Sequence, residues 1–139
     1  MKCTVDHIGI AVASLADALA FYRDELGLEI EAPELVASQG VRAHFVVLDS
    51  AAPPPRGVTL ELLEAAVTDS PIARYIARRG PGIHHIALRV PDLVATLDQL
   101  KARGVRLIDE APRPGAHGAL IAFIHPASTH GVLVELMQG

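Results

Sequence analysis

The chain has 139 residues, half of them apolar, which is enough for one compact core and too much for a disordered segment. Its net charge of −4 argues against broad nucleic-acid binding, although Arg42, Arg89, Lys101, Arg103, Arg106 and Arg113 leave material for a local anion patch. A single cysteine, Cys3, excludes a disulfide framework and is expected as a buried thiol in the first strand. No apolar run reaches bilayer-spanning length and the first residues lack the basic and apolar regions of a signal peptide, so a cytoplasmic protein with no membrane partner is expected.

Residues 3–12 read as a strand, with His7 on the Val5/Gly9 side and Ile8 and Ile10 on the other. Ser14 is a helix cap, Leu15, Leu19, Tyr22 and Leu26 follow at helical spacing, and Gly27 is a left-handed stop. Strands are expected at 28–36 and 41–48, joined by a Gln39-Gly40 turn, and at 58–63 beyond a proline-rich loop at 51–57. Asp69-Ser70-Pro71 opens a short connecting helix that ends at Gly80. The pattern then restarts. A strand at 83–90 leads to the cap Asp92, a helix with Leu93, Leu97 and Leu100 on its apolar side, and the stop Gly104. Strands at 105–108, 119–125 and 132–137 follow, with 112–118 as a loop. The chain thus reads as one domain over 1–139: module one at about 1–66, a connecting helix at about 69–80, and module two at about 82–139. Neither module would bury enough apolar surface alone, so the two are expected to pack as a pair.

The repeat carries the chemistry. Asp6-His7-Ile8-Gly9-Ile10-Ala11-Val12 is echoed by His84-His85-Ile86-Ala87-Leu88-Arg89-Val90, with His7 and His85 standing 78 positions apart. Leu60-Glu61-Leu62 is echoed by Val134-Glu135-Leu136, with the glutamates 74 positions apart. A carboxylate inside an apolar strand is costly to desolvate unless it is paired or bound to a cation. One such glutamate reads equally well as facing solvent from an open sheet, and a lone strand histidine is more often a hydrogen-bonded residue than a ligand. Duplication changes the balance. If the first and last strands of each module are neighbours, each module offers one imidazole and one carboxylate, and a pseudo-twofold axis would gather all four. Two histidines and two carboxylates suit a divalent transition ion, and an octahedral ion so held keeps two positions for two oxygens of one substrate.

The same segments, with Leu63-Glu64, Asp69-Ser70-Pro71-Ile72-Ala73 and Gly82-Ile83 added, are similar to the vicinal oxygen chelate superfamily of glyoxalases, extradiol dioxygenases and bleomycin-resistance proteins. Gly131-Val132-Leu133-Val134-Glu135-Leu136 matches as well, and Gly115-Ala116-His117-Gly118 and Phe123-Ile124-His125-Pro126, in that order, narrow the resemblance to its methylmalonyl-CoA epimerases. The resemblance implies an α+β fold: two paired βαβββ modules forming a curved mixed sheet around a metal site. It implies metal ligands at His7, Glu61, His85 and Glu135, with cobalt first among cobalt, nickel, manganese, iron and zinc. His84 aligns with Asp6 and takes a structural role or one beside the ligands. Turn or surface roles are expected for His44, His125 and His130. His117 and Gly118 would line the substrate pocket, with a loop hydrogen bond an equal alternative for His117.

The implied reaction interconverts the C2 epimers of methylmalonyl-CoA. A proton leaves a carbon set between a thioester and a carboxylate and returns on the opposite face, which needs an acid/base group on each face. A divalent ion would serve as Lewis acid for the enolate. Glu135 and Glu61 are the pair the resemblance suggests. Some epimerases place a glutamate base just after Gln-Gly-Val; here Gln39-Gly40-Val41 is followed by Arg42 and Ala43, so that base is missing. An acyl-CoA substrate and a homodimer complete the expectation. Two other readings fit the scaffold: a lactoylglutathione lyase with a similar ligand set, and a non-catalytic small-molecule-binding protein, which would not need the four ligands.

Overall fold

The computed structural model describes residues 2–49, 51 and 57–139, so the loop expected at 51–57 lies outside the described residues except at its ends. Two compact units are present: His7–His84, and the chain start up to Asp6 together with His85–Gly139.

In the first unit, β1 (Thr4–Ala11, from His7 onward) is followed by α1 (Leu15–Leu19), which runs into a π-helical turn at Ala20–Glu25. The expected helix is present in extent, but its second half is wound more loosely, with the Leu26 N–H donating to Phe21 O five residues back at 2.9 Å. The strand expected at 28–36 is two short pieces, β2 (Glu29–Ile30) and β3 (Glu34–Val36), separated around Pro33, which has no N–H to offer a ladder. Gly40 turns the chain with φ of 62° into β4 (Val41–Val47), and β5 (Thr59–Ala65) follows. β5 lies between β1, to which it is parallel, and β4, to which it is antiparallel. Both β2 and β3 pair with the other edge of β4. Ser70 caps α2 (Pro71–Arg79) by accepting from the Ala73 N–H at 3.1 Å, with Pro71 at the first helical position.

The second unit repeats this arrangement. β6 (Gly82–Arg89, from His85 onward) leads to α3 (Leu93–Ala102), capped by Asp92. β7 (Arg113–Pro114), β8 (Leu120–Ile124) and β9 (Val134–Gln138) complete it. β9 is parallel to β6 and antiparallel to β8, and β7 pairs with the outer edge of β8. The strand expected at 105–108 is reduced to one bridge, Leu107 to Ile124, because Ile108 and Asp109 both turn their N–H groups to the single carbonyl of Phe123. The segment expected as a loop at 112–118 holds β7 and a 3-10 turn at Ala116–Gly118.

Each sheet has a helix face and an opposite face, set by the period-2 alternation of strand side chains. On the first unit's helix face, Ile10, Val46, Leu60 and Leu62 meet Leu15, Ala18, Leu19 and Tyr22. On the second unit's, Ala122, Ile124 and Leu136 meet Leu93 and Leu97. A matched contact locks each helix to its sheet: the Leu15 N–H donates to Glu64 Oε2 at 2.7 Å, and the Leu93 N–H donates to Gln138 Oε1 at 2.6 Å. Each acceptor satisfies a helix-start donor that the helix itself leaves unpaired. Cys3 is exposed rather than buried, because it precedes the first strand and lies outside the β1–β5 register, which begins at His7. Among the described residues no helix is long and apolar enough to cross a membrane.

Leu97, 1% exposed between α3 and its sheet, is expected to cost about 2–5 kcal/mol of stability when replaced by alanine. Urea denaturation would show this as a lower midpoint at unchanged slope.

Candidate metal and active site

The face of each sheet away from its helix carries the acid and the imidazole. In the first unit the register sets Gly9 opposite Glu61 and Glu61 opposite Phe45, so His7, two residues before Gly9, shares the face of Glu61. His7 Nε2 stands 3.5 Å from Glu61 Oε1, and the two residues are 3% and 5% exposed. In the second unit Ala87 faces Glu135 and Glu135 faces Phe123. His85 Nε2 stands 3.6 Å from Glu135 Oε2, with both residues again buried. The expected neighbouring of first and last strands is therefore present in each unit, and it delivers one imidazole and one carboxylate per unit.

The aromatic residues follow the same rule. The His7 ring meets Phe45 edge to face at 5.6 Å and 88°, and the His85 ring meets Phe123 at 5.7 Å and 88°. An imidazole so held loses rotational freedom and presents one nitrogen toward its carboxylate. Phe45 and Phe123 also stand 78 positions apart, as His7 and His85 do, and Glu64 and Gln138 share the 74-residue spacing of the glutamates. Sequence reasoning gave none of the four a role, although the spacing marks them. On the second unit, Arg113 lies over the Phe123 ring at 5.5 Å while its Nε is 3.2 Å from Asp109 Oδ1. Asp109 Oδ2 in turn accepts from the Phe123 N–H at 2.8 Å, so the aromatic support of His85 is itself braced.

The separations of 3.5 and 3.6 Å exceed an ordinary hydrogen bond and suit two donors turned toward a common cation. Ligands at about 2.1 Å from one ion are about 3–3.5 Å apart, which is close to what each pair shows. His7, His85 and Glu135 are buried and of the donor type that holds a metal, and imidazole with carboxylate fits a divalent ion.

Other sequence candidates divide clearly. His84 is half-buried with its ring edge-to-face on Tyr75 at 5.0 Å, and burial pushes its imidazole down to about 4. It therefore stays neutral at neutral pH and adds no positive charge beside His85. His44 Nδ1 lies 3.1 Å from Glu31 O, His125 Nδ1 accepts from the Ala127 N–H at 3.0 Å, and His130 sits exposed at a φ of 58°. His117 and Gly118 are exposed in the turn before β8, with φ of 58° and 70°. Gly115 sets that turn close to the sheet: a Cβ there would stand 2.7 Å from Ile121 Cγ2.

The family described as the Glyoxalase/Bleomycin resistance protein/Dioxygenase superfamily matches residues 6–123, and the chain belongs to it, with the α+β glyoxalase fold. Among curated relatives, an uncharacterised Bacillus subtilis protein is 44% identical over 96% of this chain and 91% of its own. An ethylmalonyl-CoA/methylmalonyl-CoA epimerase of Cereibacter sphaeroides is 38% identical over 96% of both chains. The structure of a methylmalonyl-CoA epimerase in complex with methylmalonyl-CoA and NH4+ is 35% identical, with a TM-score of 0.91 over 100% of this chain and 96% of that one.

Removing the Phe123 ring, 6% exposed, is expected to cost about 3–5 kcal/mol. Phe123→Ala should therefore lower the urea midpoint well below that of a substitution at exposed Val94.

Proposed function

We propose that this protein interconverts the C2 epimers of methylmalonyl-CoA, with His7, Glu61, His85 and Glu135 holding one divalent transition ion, cobalt first. The observation that carries the reading is the duplicated pair of a buried imidazole and a buried carboxylate on neighbouring parallel strands. The likeness to relatives named for this epimerisation, along nearly the full chain, supports the substrate.

A divalent ion held by His7, Glu61, His85 and Glu135 would supply Lewis acidity for the enolate. The chain's own groups supply the rest. The imidazoles, fixed by Phe45 and Phe123, set the ligand geometry. Glu135 takes the C2 proton from one face or returns it, and the first unit provides the acid/base group for the other face, with Glu61 as the candidate its position suggests. The apolar surroundings, Ala87, Ile121 and Met137 in the second unit, keep water away from the carbanion-like carbon. His117 and Gly118, on the exposed turn, contact the acyl-CoA. The same reading makes the protein a cytoplasmic homodimer, which light scattering at the elution peak tests.

Proton NMR of methylmalonyl-CoA in heavy water is the direct experiment. Epimerase activity replaces the C2 proton by deuterium and collapses the methyl doublet, whereas a lactoylglutathione lyase would leave this substrate untouched and isomerise the glutathione hemithioacetal. Stripping metal with a chelator should abolish wash-in, and cobalt should restore it. Glu135→Gln is expected to lower epimerisation at least about 100-fold with the fold retained. Glu61→Gln should reduce both exchange and cobalt affinity, the latter read by titration calorimetry.

A further inference from the structure

Two-face proton exchange asks more of Glu61 than its position supports. It lies 3.5 Å from His7 on a strand paired on both sides, where it is engaged with the imidazole. The first unit holds a second carboxylate on the same sheet face. β3 pairs with β4 so that Glu34 stands directly opposite Ala43 and Val36 opposite Val41. Ala43 alternates with Phe45, the residue opposite Glu61, so Glu34, Ala43, Phe45 and Glu61 share one face. By strand spacing, the Cα atoms of Glu34 and Glu61 are about 12 Å apart.

The surroundings distinguish Glu34 from its neighbours. Val36, Val41 and Ala43 beside it are 6%, 1% and 0% exposed, and Glu34 itself is half-buried at the rim of this apolar strip. Ala43, directly opposite Glu34, carries only a methyl group, with Phe45 and Leu63 the larger side chains on the same face. Glu29, opposite Val47, shares the face but is exposed and has the larger valine in front of it. Glu64 points to the helix face, where it accepts from the Leu15 N–H and pairs with Arg42 at 3.2 Å.

We propose that Glu34 is the acid/base residue serving the C2 face opposite Glu135, leaving Glu61 as a ligand. This rests on the epimerase reading for its reaction. In one direction the Glu34 carboxylate takes the C2 proton and the C–H electron pair moves into the thioester carbonyl as the enolate forms. The protonated Glu135 then gives a proton to the other face of C2 and the carbonyl re-forms. In the reverse direction the two residues exchange tasks, and water resets both between turnovers.

The test supplies each epimer separately, in heavy water, to cobalt-loaded wild type, Glu34→Gln, and the double variant Glu34→Gln with Ala43→Glu. For Glu34→Gln, interconversion should fall at least about 100-fold while C2 deuterium wash-in persists for the epimer whose proton faces Glu135. Cobalt affinity and melting temperature should stay at wild-type values. The double variant, with its carboxylate moved across the strand pair to the same row, should regain interconversion. Wild-type interconversion in Glu34→Gln overturns the proposal, as does equal loss of wash-in from both epimers or loss of cobalt binding. A wild type that washes deuterium into neither epimer overturns the epimerase reading itself and this assignment with it.

Discussion

The constraint on which this molecule depends is the cost of placing a carboxylate inside an apolar strand. Glu61 and Glu135 are 5% and 4% exposed, and each is flanked along its own strand by leucine or valine. Isolated, either charge would cost several kcal/mol to bury. Each is instead set beside an imidazole nitrogen, with a small residue, Gly9 or Ala87, directly across the parallel ladder. The small neighbour leaves space for the acid, and the histidine two residues before it, on the same face, meets the acid diagonally. Parallel pairing of first and last strands is what sets each imidazole beside its acid, and the chain between them, helix included, makes the crossover that a parallel connection needs.

Much of this was legible in the chain. Period-2 alternation set His7 on the Gly9 face, the caps Ser14, Ser70 and Asp92 marked the helices, and duplication paired the histidines and glutamates. The misreadings came from places where tertiary demands overrule local pattern. The run 28–36 alternates well enough for one strand, yet Pro33 interrupts it. The apolar run at 105–108 has strand composition, but its neighbour Phe123 offers one carbonyl to two successive amides. Cys3 looked like core because it adjoins a buried strand, and periodicity does not say where a register begins.

The residues packed around the two histidine–glutamate pairs were harder to see than the pairs themselves. Phe45 and Phe123 look like ordinary strand aromatics, and Glu64 and Gln138 like ordinary surface polars. Their roles emerge only from the ladders, which bring each phenylalanine across from a glutamate and each polar side chain onto a helix start. The pair Glu64 and Gln138 also shows that charge is not what the position requires, since a neutral amide oxygen accepts from the helix start as the carboxylate does. Glu34 was equally hard to see. Its relevance depends on which residue of β4 it faces, and a shift of one residue would turn it to the opposite face.

The spacing of the donors along the chain has a consequence for how the protein is made. His7 and Glu61 are 54 positions apart, and His85 and Glu135 are 50 apart, so neither pair exists until an entire strand-helix-strand excursion has closed. Such long-range closure slows folding relative to local helix contacts. A nascent chain emerging from the ribosome thus holds neither pair until its ladder is complete, and any cation these groups take up would be captured late.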